Sequence, residues 1–114
     1  MGLIHRDTMF KVPDPENQRK LLDAYRVLAK DQAKDGKPYI LHVQAGRLLG
    51  DPRSNGYTVM AQTTFASLED MKYYDTACPA HTVLRKMAVE LVTERPLVVA
   101  AKEEETEKMA AEMD

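Results

Sequence analysis

The densest run of reactive side chains lies between residues 73 and 81: Tyr73-Tyr74-Asp75-Thr76-Ala77-Cys78-Pro79-Ala80-His81. Imidazole titrates near neutrality, so His81 is a candidate general acid and base. It could take a proton from a carbon next to a carbonyl and return it to the developing alkoxide. A tyrosine hydroxyl, from Tyr74 or from Tyr73 beside it, could steady the enolate. The plainer alternative for His81 is a brace that bonds a backbone carbonyl at a helix junction. Cys78 stands just before Pro79, a residue suited to the first position of a helix. A thiol there is either a nucleophile activated by the helix N-terminus or, as lone cysteines more often are, a small buried hydrophobe.

Other chemistries find less support. His5, His42 and His81 fall on different elements and show no paired spacing such as H-x-x-x-H, so no metal is expected and no cofactor is implied. Tyr25, Tyr39, Tyr57 and the methionines fit core and interface packing better than a cofactor box, with Tyr57 able to border a cavity. A net charge of -2 and a pI near 5.9 leave no electrostatic footprint for nucleic acid. No apolar run approaches the roughly 18 to 20 residues that span a bilayer, and the start has no basic segment followed by a long apolar one. One cysteine cannot make an intrachain disulfide, which fits a reducing compartment. A soluble cytoplasmic protein is the expectation.

The elements that position these residues follow from periodicity and punctuation. Leu3 to Val12 reads as a strand ended by Pro13-Asp14-Pro15. Leu21, Leu22, Tyr25, Leu28 and Ala29 then recur at helical spacing, predicting a helix of about five turns from Asp14 or Pro15. It is expected to stop near Asp35-Gly36-Lys37-Pro38 with glycine as a left-handed cap. Tyr39 to Leu49 reads as a second strand, with Tyr39, Leu41 and Val43 on one face and Ile40, His42 and Gln44 on the other. The turn-rich Gly50 to Gly56 segment returns the chain into a third strand, Tyr57 to Phe65. Ser67-Leu68-Glu69-Asp70 has the form of a helix N-terminus. Cys78-Pro79 breaks that helix, and Pro79 opens another whose Val83, Leu84, Met87 and Leu91 face the core. Leu97 to Lys102 makes the last strand. The order β-α-β-β-α-β predicts an α+β, ferredoxin-like domain over residues 1–102, with a four-stranded antiparallel sheet, a broken second helix and an acidic tail at 103–114. Strands carrying apolar residues on both faces predict that the bare sheet face is covered by a second copy.

Gly56-Tyr57-Thr58, Thr64-Phe65-Ala66-Ser67 and Cys78-Pro79-Ala80-His81, in that order, resemble the motifs of the stress-responsive dimeric α/β-barrel (Dabb) family. The resemblance covers about residues 4 to 102 and implies a homodimer. Members typically have an early histidine in the first strand, here His5, and a His-Pro-x-His motif whose last histidine matches His81. In the branch of olivetolic acid cyclase-like proteins that histidine and a preceding tyrosine form the catalytic pair, which implies His81 and Tyr74. It also implies His5, Tyr57, Tyr73 and Cys78 as residues near a polyketide-like substrate. The chain departs from the pattern at Cys78 and Val59, where that branch has histidines, and by one extra residue between Tyr74 and the motif. The resemblance therefore implies a cofactor-independent cyclase or lyase, or a non-catalytic stress-associated dimer that binds ligand or protein. An oxygenase of the wider dimeric barrel group is a third reading.

Overall fold

The computed structural model describes residues 2–103, so the expected acidic tail, Glu103 excepted, lies outside the described residues. Eight elements follow in order: strand β1 Ile4–Phe10, helix α1 Pro15–Asp31, strand β2 Ile40–Arg47, a 3-10 turn at Pro52–Ser54, strand β3 Val59–Phe65, helix α2 Leu68–Thr76, helix α3 Pro79–Ala88 and strand β4 Leu97–Lys102. The strands form one antiparallel sheet in the order β2-β3-β1-β4. This is the ferredoxin-like split βαβ arrangement, with the helices on one face.

Local chemistry starts each helix where the sequence expects it. The Asp14 carboxylate accepts from the Glu16 N–H (2.9 Å), and Pro15 follows it. Gln18, Leu21, Tyr25 and Leu28 then fall on the buried face. The Ser67 hydroxyl accepts from the Asp70 N–H (3.1 Å) to open α2. Leu21, Leu28, Val59 and Phe65 are among the fully buried side chains that join the two layers.

Besides Val83, which is 67% exposed while His81, Leu84 and Ala88 form the buried face of its helix, three expectations need correction. Gly36 does not cap α1, which ends four residues earlier at Gln32. Asp35 (φ 54°) and Gly36 (φ 78°) instead form the two-residue turn of a short ribbon between Lys34 and Lys37, a geometry that requires positive φ at both positions. The Gln32 side chain takes over the join to the sheet, its Oε1 accepting from the Tyr39 and Ile40 N–H groups at 2.9 and 3.0 Å. Second, β2 does not alternate as its sequence suggests, because a bulge lies between Ile40 and His42. It puts Ile40 opposite Phe65 and Val43 opposite Thr63, both partners buried under the helices, and leaves Leu41 56% exposed. Third, the bare sheet face is not uniformly apolar. Alternation and register put His5 and Asp7 of β1 and Gln62 and Thr64 of β3 at its centre and His42 on its β2 edge, with apolar Leu41, Met9, Met60, Leu97 and Val99 around them.

The helical layer stops short of β4. Every residue of this edge strand is exposed, including Leu97, Val98 and Val99. The connection from α3 back to β4 therefore bridges a gap rather than closing one.

Gln32→Ala leaves two buried N–H groups without an acceptor and should lower the unfolding free energy by about 2–4 kcal/mol. Urea denaturation at fixed protein concentration measures this, and a change below about 0.5 kcal/mol would show that the side chain is dispensable to the join.

Candidate functional site

The break between α2 and α3 is a problem of backbone carbonyls, and its solution builds the site. In a continuous helix the Tyr74 carbonyl would accept from the Cys78 N–H, and the Asp75 carbonyl from the N–H of residue 79. The Cys78 N–H is turned instead to the Tyr73 carbonyl (3.0 Å), and Pro79 has no N–H to give. Two side chains of α3 supply the missing donors. His81 Nδ1 lies 2.8 Å from the Tyr74 carbonyl, and Arg85 Nη1 donates to the Asp75 carbonyl at 3.1 Å.

A carbonyl can only accept, so Nδ1 carries the proton and Nε2 is the basic nitrogen of the neutral ring. The His81 ring also stacks on the Tyr74 ring, with centroids 3.6 Å apart and planes 12° from parallel. Position, rotation and tautomer are thereby fixed. Burial is the main force lowering the His81 pKa from 6.5 to about 4, helped by the Arg6 and Arg85 cations and opposed by the Tyr74 hydrogen bond and Asp75. At neutral pH the imidazole is an uncharged base.

His81 lines a cleft of about 970 Å³ between the sheet and α3, in the gap that the helical layer leaves beside β4. Arg6, Thr8 and Phe10 form its floor on β1, Tyr25 enters from α1, and Leu84 and Ala88 wall it on α3. Arg6 is buried on the inward face of a central strand. It donates from Nη1 to the Thr8 hydroxyl (2.9 Å), pairs through Nη2 with Asp75 (2.9 Å), and sets its guanidinium carbon 5.0 Å from the Tyr74 ring centroid. Its Nε is buried without a hydrogen-bond partner, and the Tyr74 hydroxyl is buried beside that of Tyr25. Burial pushes the Tyr25 and Tyr74 phenols well above their ordinary range, with Arg6 opposing the rise in both, so each remains an O–H donor.

Residues 4–110 match the stress responsive A/B barrel domain family. A fusaristatin A biosynthesis cluster protein of Gibberella zeae is 44% identical over 103 residues, covering 90% of this chain and 75% of that protein. The chain belongs to the stress responsive A/B barrel domain family. The fold is shared more widely. A hydroxynitrile lyase from Passiflora edulis superposes with a TM-score of 0.73 at 17% identity, covering 92% of this chain and 96% of that one. A dimeric ferredoxin-like protein of unknown function from Jannaschia sp. CCS1 gives 0.68 at 17%, covering 88% and 98%. A putative antibiotic biosynthesis monooxygenase from Caulobacter crescentus gives 0.68 at 16%, covering 88% of each chain.

Of the six residues singled out from the sequence of this A/B barrel domain, the fold brings two together, His81 and Tyr74. The other four stand apart from the cleft. His5 lies on the opposite face of the sheet, its ring nitrogens 3.3 Å from Thr64 Oγ1 and Glu103 Oε2. Tyr73 donates to the Ala33 carbonyl (3.2 Å) and packs edge-on against Tyr39. Tyr57 lies under the Lys11 ammonium near the turn at the far end of β3. Cys78 is wholly buried and makes no side-chain cap for α3, which fits the small-hydrophobe alternative. Arg6 and Thr8 are polar cleft residues without a role in the sequence-based expectations, and Tyr25, expected only to pack the core, lines the cleft as well. A signal was present for the first: Ile4, Arg6, Thr8 and Phe10 share one strand face, and a charge in line with Ile4 and Phe10 must be buried.

A ¹³C or ¹⁵N titration followed by NMR should place the His81 midpoint near pH 4, with Nε2 the nitrogen that gains the proton. Between the unfolded value of 6.5 and that midpoint the unfolded chain binds the proton that the folded chain refuses, so stability falls as pH falls through this window. A midpoint at or above 6.5 would contradict the buried, carbonyl-locked ring.

Proposed function

We propose that this chain handles a small carbonyl compound as a cofactor-independent cyclase or lyase, with His81 Nε2 as general base and then acid. The observation that carries the reading is a neutral imidazole, with its tautomer locked by the Tyr74 carbonyl, on the wall of a cleft large enough for a small organic molecule. Tyr74 acts as a positioning residue, through its carbonyl and its ring. The buried Tyr25 hydroxyl is the better candidate to donate to an enolate oxygen, because Tyr25 lines the cleft. The biosynthesis-cluster name of the Gibberella zeae relative supports small-molecule handling. The lone buried cysteine supports work in the reducing cytoplasm.

Proton abstraction can be read without knowing the natural substrate. Deuterium exchange at the central carbon of a β-diketone probe in D₂O should be accelerated by the wild-type protein. His81→Asn should reduce that acceleration by about 100-fold, the lower range for a general base. Equal rates with the two proteins would remove His81 from the chemistry. A second reading, a ligand-binding dimer without turnover, is favoured by one observation: the His81 hydrogen bond is also what a purely structural brace at the helix break would make. Ligand binding with no exchange in the wild type would select it.

The active unit in this proposal is a homodimer packed through the bare sheet face. Support comes from Leu41, Leu97 and Val99, exposed on that face, and from structural neighbours that are themselves described as dimeric. Val99 lies opposite Asp7 in the sheet register, so Val99→Glu would set two carboxylates side by side in the interface. Light scattering should give twice the 12.9 kDa chain mass for the wild type and the single mass for the variant. A wild-type mass of one chain would refute the dimer.

A further inference from the structure

The cleft carries a charge pattern that a neutral carbonyl compound would not need. Arg6, Arg85 and Arg95 line it against one acid, Glu94, whose carboxylate is already held by Lys11 at 3.1 Å. His81 adds no charge at neutral pH. The Arg6 side chain is only 9% exposed, and its partner Asp75, 37% exposed, meets it through a single 2.9 Å contact. Guanidinium is built to grip a carboxylate through two parallel N–H bonds, and here its Nε–H is buried with no acceptor. A buried donor left open in this way costs free energy that an incoming acceptor would recover. Around this cationic end the lining is apolar: Phe10, Leu84, Ala88, Val92 and Val98.

We infer that the cleft takes an apolar molecule bearing a carboxylate, with the carboxylate seated on Arg6 beside His81 and the apolar body lying between α3 and β4. The inference rests on the cleft being the ligand site of the proposed function, and it does not require His81 to do chemistry. Arg6 and His81 line the same cleft and both adjoin the Tyr74 ring, at 5.0 and 3.6 Å from its centroid, so one ligand lying in the cleft can reach both. The anion would also offset the cationic field that helps to hold His81 neutral.

The test uses octanoate, octan-1-ol and octylamine with the full chain at pH 7, followed by calorimetry and by backbone amide NMR. Octanoate should bind more tightly than octan-1-ol by about tenfold or more, the size expected of one charge-assisted hydrogen bond, and octylamine more weakly than either. Shifts should centre on Thr8, His81 and Leu84, and octanoate should raise the His81 titration midpoint. Arg6→Met, checked for folding by circular dichroism, should abolish the preference for octanoate, and Arg6→Lys should keep part of it. Equal affinity of the wild type for octanoate and octan-1-ol would overturn the inference whether or not the variants fold. So would shifts centred on His5 and Gln62 of the opposite sheet face, or a full preference retained by Arg6→Met. Octanoate selectivity in a protein that fails to exchange the β-diketone would uphold this inference while removing the catalytic one.

Discussion

The Tyr74 carbonyl is the constraint on which the site depends. Pro79 cannot donate and the Cys78 N–H is spent on Tyr73, so the last turn of α2 would end in carbonyls with no backbone N–H to accept from. His81 and Arg85, two and six residues after the proline, satisfy the Tyr74 and Asp75 carbonyls and so dock the start of α3 on the end of α2. One hydrogen bond thereby does two things. It finishes a helix, and it decides which nitrogen of His81 is basic. The structural and chemical readings of this residue are thus the same geometry seen from its two nitrogens.

A second consequence runs through Asp75. Its carboxylate meets Arg6 and its carbonyl meets Arg85, so the residue after Tyr74 anchors both a strand cation and a helix cation at the cleft. Burying Arg6 on a central strand would be severe without a partner, and one monodentate carboxylate, one hydroxyl and one aromatic face offset it incompletely. The incompleteness is local to the cleft. Elsewhere on the same strand face Ile4 and Phe10 pack conventionally into the core.

Much of the fold was legible because each element is marked by local chemistry: Asp14-Pro15 and Ser67 start helices, Pro79 splits one, and the 51–56 turn forces a reversal. What failed was information that only pairing supplies. The β2 bulge is invisible in a sequence that alternates plausibly without it, yet it exchanges the faces of Ile40 and Leu41. Gly36 looks like a helix cap because caps and hairpin turns ask for the same positive φ, and only the Lys34–Lys37 pairing tells them apart. The direction of His5 depends on a one-residue register in β1 that family motifs do not fix. That same register, read as simple alternation from Ile4 to Phe10, would have turned Arg6 inward from the start.

The depressed pKa of His81 limits the chemistry as much as it enables it. An imidazole that protonates near pH 4 is always in its basic form at neutrality, but it is a weak base and holds a captured proton poorly. Such a group suits carbon acids flanked by two carbonyls, whose protons leave more readily than those of a simple ketone. It also suits steps in which the proton is soon handed on to the forming alkoxide. The surroundings favour the same class. Phenols that stay protonated can donate to an enolate without competing for the proton, and a fixed guanidinium stabilises negative charge without titrating at all. In the proposed reaction, fixed cation, neutral donor and weak base would divide the work of forming and holding an enolate among three side chains, so that none of them would need to be strongly basic.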